Sequence, residues 1–182
     1  VDLPGRMAAA APLAGRRELD LAAPEAEAAL ARLAAELGAV EAVVANAGVV
    51  PPWRRIADLD AAEWARVFRV NVWGAAATLK AFAGPLAASG RGAAVLMASI
   101  NGFRAHPDQT LYTASKHAVI GLARSAALDL GRDGVRVNAL APGPVATEAL
   151  RARVGARAEA GGPSPRSRWP RSRRRRRSVG SR

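Results

Sequence analysis

Tyr112 and Lys116 are the residues whose types and spacing most clearly predict chemistry in this sequence. Tyr112 is the only tyrosine of the 182-residue chain, and Lys116 is one of two lysines, the other being Lys80. Residues four positions apart lie on one face of a helix, so the phenol and the ammonium group are expected to be neighbours. A nearby positive charge favours the phenolate, and such a pair can act as a general acid or base near neutral pH.

Short apolar runs alternate along the chain with alanine-rich stretches, and this pattern predicts repeated β-α-β units. We expect strands over residues 17–21, 40–45, 93–98 and 135–140, and helices over residues 24–37, 60–88 and 111–130. Asp60 with Glu63 is the pattern of a capping box at the start of the second helix, and Gly38 is expected to end the first. Continuous apolar strands joined by helices predict a parallel sheet with helices on both faces.

In such sheets the ligand-binding crevice lies beyond the carboxyl ends of the strands. Small, polar or backbone-exposing residues follow three of the predicted strands: Asn46, Ala47 and Gly48, then Ser99, then Pro142 and Gly143. Each group alone is equally well explained as a turn. Their arrival at one edge, together with Tyr112, favours a site where a ligand approaches the main chain closely.

Asn71 continues the apolar face that Trp64, Val67 and Phe68 form on the second predicted helix. An amide buried there without partners costs about 1–3 kcal/mol. One explanation is a core asparagine bonded to a neighbouring backbone carbonyl. The other is a group that holds a water or a backbone kink beside an active site.

The formal net charge of +12 suggests an acidic partner such as nucleic acid, but the charge is concentrated at one end. Residues 151–182 hold twelve arginines and one acidic residue, which leaves the first 150 residues nearly neutral. The sequence has no cysteine, and its two histidines, His106 and His117, lack metal-ligand spacing, so we expect neither disulfides nor a metal site. No long apolar segment is present, and a cytoplasmic location is the default expectation.

Taken together, these residues resemble the short-chain dehydrogenase/reductase (SDR) family of classical type. The resemblance is carried by Asn46-Ala47-Gly48, Asn71, Ser99, Tyr112-x-x-x-Lys116, and Pro142-Gly143 running to Thr147. The order of these motifs and the 13-residue step from Ser99 to Tyr112 also fit. The resemblance covers residues 1–150 and implies an α/β fold, a Rossmann-type doubly wound parallel sheet with helices on both faces.

The resemblance implies hydride transfer between a nicotinamide and a small alcohol or ketone. Tyr112 would be the general acid or base, Lys116 would lower its pKa and bond the nicotinamide ribose, and Ser99 would polarise the carbonyl. Asn71 would hold the water through which Lys116 exchanges its proton with solvent. Cofactor contacts would come from Tyr112 and Lys116 and from Asn46, Ala47, Gly48, Pro142, Gly143, Val145 and Thr147. The family also implies a homo-dimer or homo-tetramer, and it requires no metal.

Two acidic residues near the start of the chain resemble the family's adenosine-binding acids. Asp2 resembles the acid that bonds both ribose hydroxyls and repels a 2′-phosphate, which favours NAD over NADP. Arg6 lies nearby and weakens this inference, so NADP stays possible. Asp20 resembles the acid that bonds adenine.

The sequence departs from the family at both ends. The family's first strand, with its glycine-rich T-G-x-x-x-G-x-G turn, is not found, and neither is the last strand. We therefore expect exposed sheet edges and poor dinucleotide binding. Residues 151–182 form an Arg/Pro/Ser/Gly-rich tail, and residues 156–182 are predicted to be disordered.

The tail has two explanations, a basic arm for nucleic acid or an out-of-frame reading of a GC-rich gene, and we favour the second. Three function classes follow for the chain. It is an SDR oxidoreductase, a noncatalytic truncated remnant unable to bind cofactor, or a fold remnant whose basic tail binds nucleic acid. The complete set of Asn71, Ser99, Tyr112 and Lys116 favours the oxidoreductase, whereas a membrane partner has no support.

Overall fold

The structure, a computed structural model, describes residue 15 and residues 17–145 and 147–159. The chain divides into two compact units, the first ending at Gly143 and the second beginning at Pro144. The described part of the first unit contains three strands and four α-helices: β1 (Ala42–Ala45), β2 (Ala93–Met97), β3 (Arg136–Leu140), α1 (Ala26–Leu37), α2 (Ala61–Phe68), α3 (Gly74–Ala88) and α4 (Thr110–Gly131). Short 3-10 turns lie at Ile56–Asp58 and Ile100–Gly102.

The three strands form a parallel sheet in the order β1-β2-β3. The register places Val43, Ala94 and Val137 in one row across the sheet. Parallel neighbours need a crossover, and α2 and α3 supply it between β1 and β2, while α4 supplies it between β2 and β3. The predicted α/β fold with a parallel sheet is therefore confirmed, and so is its central consequence, that all three strands end at one edge.

The core lies on one face of this sheet. Ala94, Leu96 and Val137 are buried there in a single cluster with helix residues that include Leu86 of α3 and Val119 of α4. On the opposite face, Val44 and Leu140 are 60% and 53% exposed. The described helices that contact the sheet thus lie on one of its two faces. This arrangement brings the amino-terminal half of α4 close to the ends of β1 and β2. A layer of helices on the other face stays a prediction.

The segment 17–21 was predicted to be a strand, and this prediction is wrong for the described residues. Only Glu18 takes part in a single β-bridge, and the chain turns at residues 21–25 before α1. A strand forms only by pairing along its length with a neighbour, and none of β1, β2 and β3 pairs with this segment.

The predicted helix over residues 60–88 is present as two α-helices separated by a π turn at Arg69–Trp73. Asp60 caps its start, accepting a hydrogen bond from the Glu63 N–H at 2.7 Å. The Glu63 carboxylate does not complete the reciprocal capping box, because it accepts from the Arg54 guanidinium at 2.9 Å instead. The first predicted helix is confirmed as α1, and Gly38 ends it with a positive φ of 66°.

The second unit contributes α5 (Glu148–Glu159). Thr147 stands just before it, and its Oγ1 accepts a hydrogen bond from the Leu150 N–H at 3.2 Å. Residues 156–159 therefore belong to a helix, which corrects the prediction that disorder begins at residue 156. The remainder of the tail, residues 160–182, lies outside the described residues, as does Asp2.

Gly102 and Gly121 offer a matched test of how tightly α4 is packed. A β-carbon at Gly102 would lie 2.4 Å from Ile120 Cδ1 and 2.8 Å from the Lys116 carbonyl oxygen, whereas one at Gly121 would have no atom within 4 Å. We expect Gly102→Ala to lower the free energy of unfolding by about 1–3 kcal/mol, because the 3-10 turn must move away from α4. Gly121→Ala should raise it by about 0.5–1 kcal/mol, since alanine favours a helix interior. Urea unfolding of both variants checks this, and similar values for the two would contradict the packing described.

Candidate active site

Lys116 is the most unusual residue of the site, because its side chain is only 5% exposed. It belongs to the first half of α4, where its neighbours Leu111 and Val119 are buried in the core. The Nζ atom donates a hydrogen bond of 2.8 Å to the carbonyl oxygen of Met97, the last residue of β2. Burial lowers the pKa of Lys116 from 10.5 to about 8, because loss of water disfavours the charged form.

Tyr112 lies one helical turn before Lys116, as the spacing predicted. The Lys116 Nζ atom is 5.7 Å from the centroid of the tyrosine ring, which is within the range of a cation-π contact. Tyr112 is partly exposed, so its ring is at the boundary between the core and the surface. The pair therefore joins a buried cation to a phenol that a ligand can reach.

Ser99 follows β2 and begins the 3-10 turn Ile100–Gly102. Its Oγ atom accepts a hydrogen bond of 3.2 Å from the Asn101 N–H. The turn is also tied to the end of β3, because the Ile100 N–H donates to the Pro142 carbonyl at 2.9 Å. A serine hydroxyl that accepts from a backbone N–H keeps its own proton available for donation.

Asn71 lies in the π turn and is 2% exposed. Its amide pairs with the backbone of Val49, accepting from the N–H at 2.7 Å and donating to the carbonyl at 2.9 Å. The same Nδ2 atom donates to the Ser115 hydroxyl at 3.2 Å, and Ser115 donates in turn to the Tyr112 carbonyl at 2.8 Å. These bonds fit the first explanation, a core asparagine bonded to a backbone carbonyl, and the residue also lies in a helix irregularity. Its role in holding a water beside an active site stays a prediction.

These groups surround one cavity of about 230 Å³ at the carboxyl ends of the strands. Its walls include seven of the predicted site residues, namely Asn46, Gly48, Ser99, Tyr112, Lys116, Pro142 and Gly143. Asn71 stands directly behind Gly48, where a β-carbon would lie 3.3 Å from its Oδ1 and 3.6 Å from Lys116 Nζ. A side chain at this position would therefore press against both polar groups.

Ala47 and Asp20, two further predicted site residues of the first unit, do not line this cavity. Ala47 is exposed. Asp20 lies in the turn before α1, where its carboxylate accepts from the Ala22 N–H at 2.9 Å. Val145 and Thr147 belong to the second unit, in which Thr147 caps α5.

Among the described residues, no group of three or more histidine, aspartate or glutamate side chains is placed to hold a metal ion. None of the helices in that part of the chain combines the length and apolarity needed to cross a bilayer.

A family model described as enoyl-(acyl carrier protein) reductase matches residues 6–169. Short-chain dehydrogenase reductase 5 of Arabidopsis thaliana is 46% identical over 111 residues, which are 60% of this chain and 43% of that protein. Among solved structures, NAD+-bound xylitol dehydrogenase has a TM-score of 0.72 and 30% identity, covering 80% of this chain and 57% of that one. ElxO with NADP bound has a TM-score of 0.69 and 27% identity, covering 77% and 57%.

The match to the family model extends over most of the chain, and the structural likeness includes the sheet and its helices. The chain therefore belongs to the short-chain dehydrogenase/reductase family, a family of oxidoreductases. It spans about half the length of the curated relatives it matches. Curated relatives that the chain matches include proteins named as dehydrogenases and as reductases. The similar solved structures include one with NAD+ bound and one with NADP bound.

The sequence reasoning missed the residues that hold the site together. Ser115 and Asn101 are buried polar groups that bond to elements bearing predicted site residues. The sequence did contain a signal for Ser115, because this polar residue directly precedes Lys116 on a helix that was expected to bury an apolar face. The Met97 carbonyl left no such signal, because a main-chain acceptor has no sequence signature.

The pKa of Lys116 predicts an unusual pH dependence of stability. The folded-state pKa of about 8 lies below the ordinary value of 10.5, so between these pH values the unfolded chain binds more protons than the folded chain. The free energy of unfolding should therefore rise with pH across this window, by on the order of 3 kcal/mol at most. Urea unfolding at a series of pH values measures the slope.

Lys116→Met should remove most of that rise. Lys80→Met is the matched control, because Lys80 is an exposed lysine paired with Glu27 and has no comparable burial. Lys80→Met should keep the slope of the unmodified protein. A Lys116→Met variant with the same slope as the unmodified protein would contradict the assignment of the pH dependence to Lys116.

Proposed function

We propose that this chain carries the catalytic centre of a nicotinamide-dependent oxidoreductase that interconverts a small alcohol and its ketone. The observation that carries the proposal is the convergence of Ser99, Tyr112 and Lys116 on one cavity at the ends of three parallel strands. Side chains of these types can hydrogen-bond a ketone oxygen, and they can remove the proton from the corresponding alcohol.

Tyr112 is the proposed general acid or base at the substrate oxygen. Lys116 supports this role electrostatically, since its ammonium group lies 5.7 Å from the ring centroid. With a pKa of about 8 the ammonium is largely protonated at neutral pH, and its charge favours the phenolate of Tyr112. Burial strengthens this interaction, because few water molecules screen it.

Ser99 is the proposed donor to the substrate oxygen. The Asn101 N–H already occupies one acceptor position of its hydroxyl at 3.2 Å. The remaining hydroxyl proton can point into the cavity that Ser99 lines together with Tyr112. Two hydroxyl donors on one oxygen would stabilise the negative charge that develops there.

The residues around the cavity fit the nicotinamide riboside half of a dinucleotide. A bound nicotinamide supplies the acceptor or donor of hydride. Asn46 and Gly48 form one wall, Pro142 and Gly143 form another, and a volume of about 230 Å³ suits a ring and a sugar. One of the three ammonium donors of Lys116 bonds the Met97 carbonyl, and in our proposal another bonds the ribose hydroxyls.

Asn71 is the proposed holder of the water that connects Lys116 to solvent. Its Oδ1 atom accepts one hydrogen bond, from Val49, and a carbonyl oxygen has a second acceptor position. Gly48 lies close to both polar groups, because a β-carbon on it would be 3.3 Å from Asn71 Oδ1 and 3.6 Å from Lys116 Nζ. In our proposal, a water bonded to Asn71 Oδ1 carries protons between Lys116 and solvent.

The finer identity of the cofactor and the assembly rests on the sequence resemblance. NAD is favoured over NADP by Asp2, and Asp20 is the proposed partner of adenine. Val145 and Thr147 are proposed to meet the carboxamide side of the nicotinamide. We also propose a homo-dimer or homo-tetramer formed through the helical segments 60–88 and 111–130.

The proposal predicts that Tyr112→Phe abolishes turnover but not cofactor binding. The substitution removes only the hydroxyl, so the rate of alcohol oxidation should fall by about 10²- to 10⁴-fold. Nicotinamide absorbance measures the rate, and fluorescence titration with the reduced cofactor measures its affinity. Turnover at the original rate in Tyr112→Phe would refute the proposed mechanism.

A further inference from the structure

The amide of Asn101 connects the turn that carries Ser99 to the helix that carries Tyr112. Asn101 is 5% exposed and lies two residues after Ser99, in the 3-10 turn Ile100–Gly102. Its Nδ2 atom donates to Gln109 Oε1 at 2.7 Å and to Thr113 Oγ1 at 3.3 Å. Gln109 and Thr113 lie three residues before and one residue after Tyr112, at the start of α4.

The main chain of the same residue orients Ser99. The Asn101 N–H donates to Ser99 Oγ at 3.2 Å, so it occupies one acceptor position of the hydroxyl and favours one placement of the Oγ atom. Gly102 holds the same turn close to α4, because a β-carbon on Gly102 would lie only 2.8 Å from the Lys116 carbonyl oxygen. One residue thus fixes Ser99 through its backbone and the first turn of α4 through its side chain.

Gln109 extends this connection to the loop after β1. It forms an isolated parallel β-bridge with Arg54, and the Arg54 N–H donates to the Asp108 carbonyl at 2.9 Å. Asp108 holds a left-handed backbone with a φ of 62°, a conformation that is uncommon for a residue other than glycine. The Asn101–Gln109 bond holds the residue that directly follows Asp108.

We propose that Asn101 is a positioning residue, which with Gln109 sets the relative placement of the Ser99 and Tyr112 hydroxyls. This inference rests on the proposed function, because it assumes that the two hydroxyls share one substrate oxygen. Transfer of a proton depends steeply on such placement, and a displacement of about 1 Å can lower a rate by about 100-fold. Asn101 itself makes no contact with the substrate in this proposal.

The test compares Asn101→Leu, Gln109→Leu and the double variant with the unmodified protein. Asn101→Leu should lower kcat by about 10- to 100-fold while the dissociation constant of the reduced cofactor stays within about two-fold. Gln109→Leu should have a smaller effect of the same kind, because Asn101 keeps its bond to Thr113. Gln109→Glu is the conservative control, since a carboxylate still accepts from the Asn101 amide and should retain most of the rate.

The double variant separates positioning from stability. Replacing both partners leaves no unsatisfied amide, so its melting temperature should recover relative to Asn101→Leu. Its kcat should stay low, because the bond that aligns the two segments is still missing. If kcat recovers together with the melting temperature, or if Asn101→Leu keeps the original kcat, the proposal is wrong. Should Asn101→Leu fail to fold, Gln109→Leu against Gln109→Glu decides the question alone, and equal kcat values would refute it.

Failure of this inference is distinct from failure of the proposed function. Full turnover in Tyr112→Phe would remove the mechanism itself, whatever Asn101 does. An inactive Tyr112→Phe beside a fully active Asn101→Leu would leave the mechanism in place and remove only the role of Asn101.

Discussion

The charge on Lys116 is the constraint around which the site is organised. An ammonium group that is 5% exposed has lost most of its water, and this loss costs free energy unless the protein replaces the missing hydrogen bonds. The Met97 carbonyl at the end of β2 supplies one replacement. Because the acceptor is main chain, the first half of α4 must lie at a fixed distance from the end of the strand. The position of Tyr112 follows, since it shares a helix face with the lysine.

The rest of the site is held by amides and hydroxyls rather than by charge. Asn71 joins the loop after β1 to α4 through Val49 and Ser115, and Asn101 joins the loop after β2 to the same helix through Gln109 and Thr113. Neutral groups of this kind are fully satisfied only in one arrangement, which gives the buried network its rigidity. The helix α4 is therefore the common element to which both strand ends are attached.

Much of this organisation could be predicted from the sequence. Apolar periodicity located β1, β2, β3 and the main helices, and the Tyr112-x-x-x-Lys116 spacing located the chemistry. The segment 17–21 was mispredicted because pairing depends on a neighbour that local pattern cannot reveal. The acceptor of Lys116 could not be predicted either, since a carbonyl oxygen belongs to every residue. The bonds of Asn101 depend on the path of the chain between residues 102 and 110. That path includes Asp108, whose left-handed backbone conformation could not be predicted from the residue pattern.

The π turn at Arg69–Trp73 has a consequence for the crossover between β1 and β2. It adds one residue without adding a helical turn, so residues after it are rotated by about 100° relative to an uninterrupted α-helix. Beyond the π turn, α3 packs against α1 and the sheet, and both α2 and α3 contact α4. The length of the segment between Asp60 and Ala88 is thus fixed more strictly than its residue types. A single insertion or deletion within this segment would rotate α2 relative to α3, so that one of the two helices would lose its packing. Exchanges between apolar residues would leave the relative rotation of α2 and α3 unchanged.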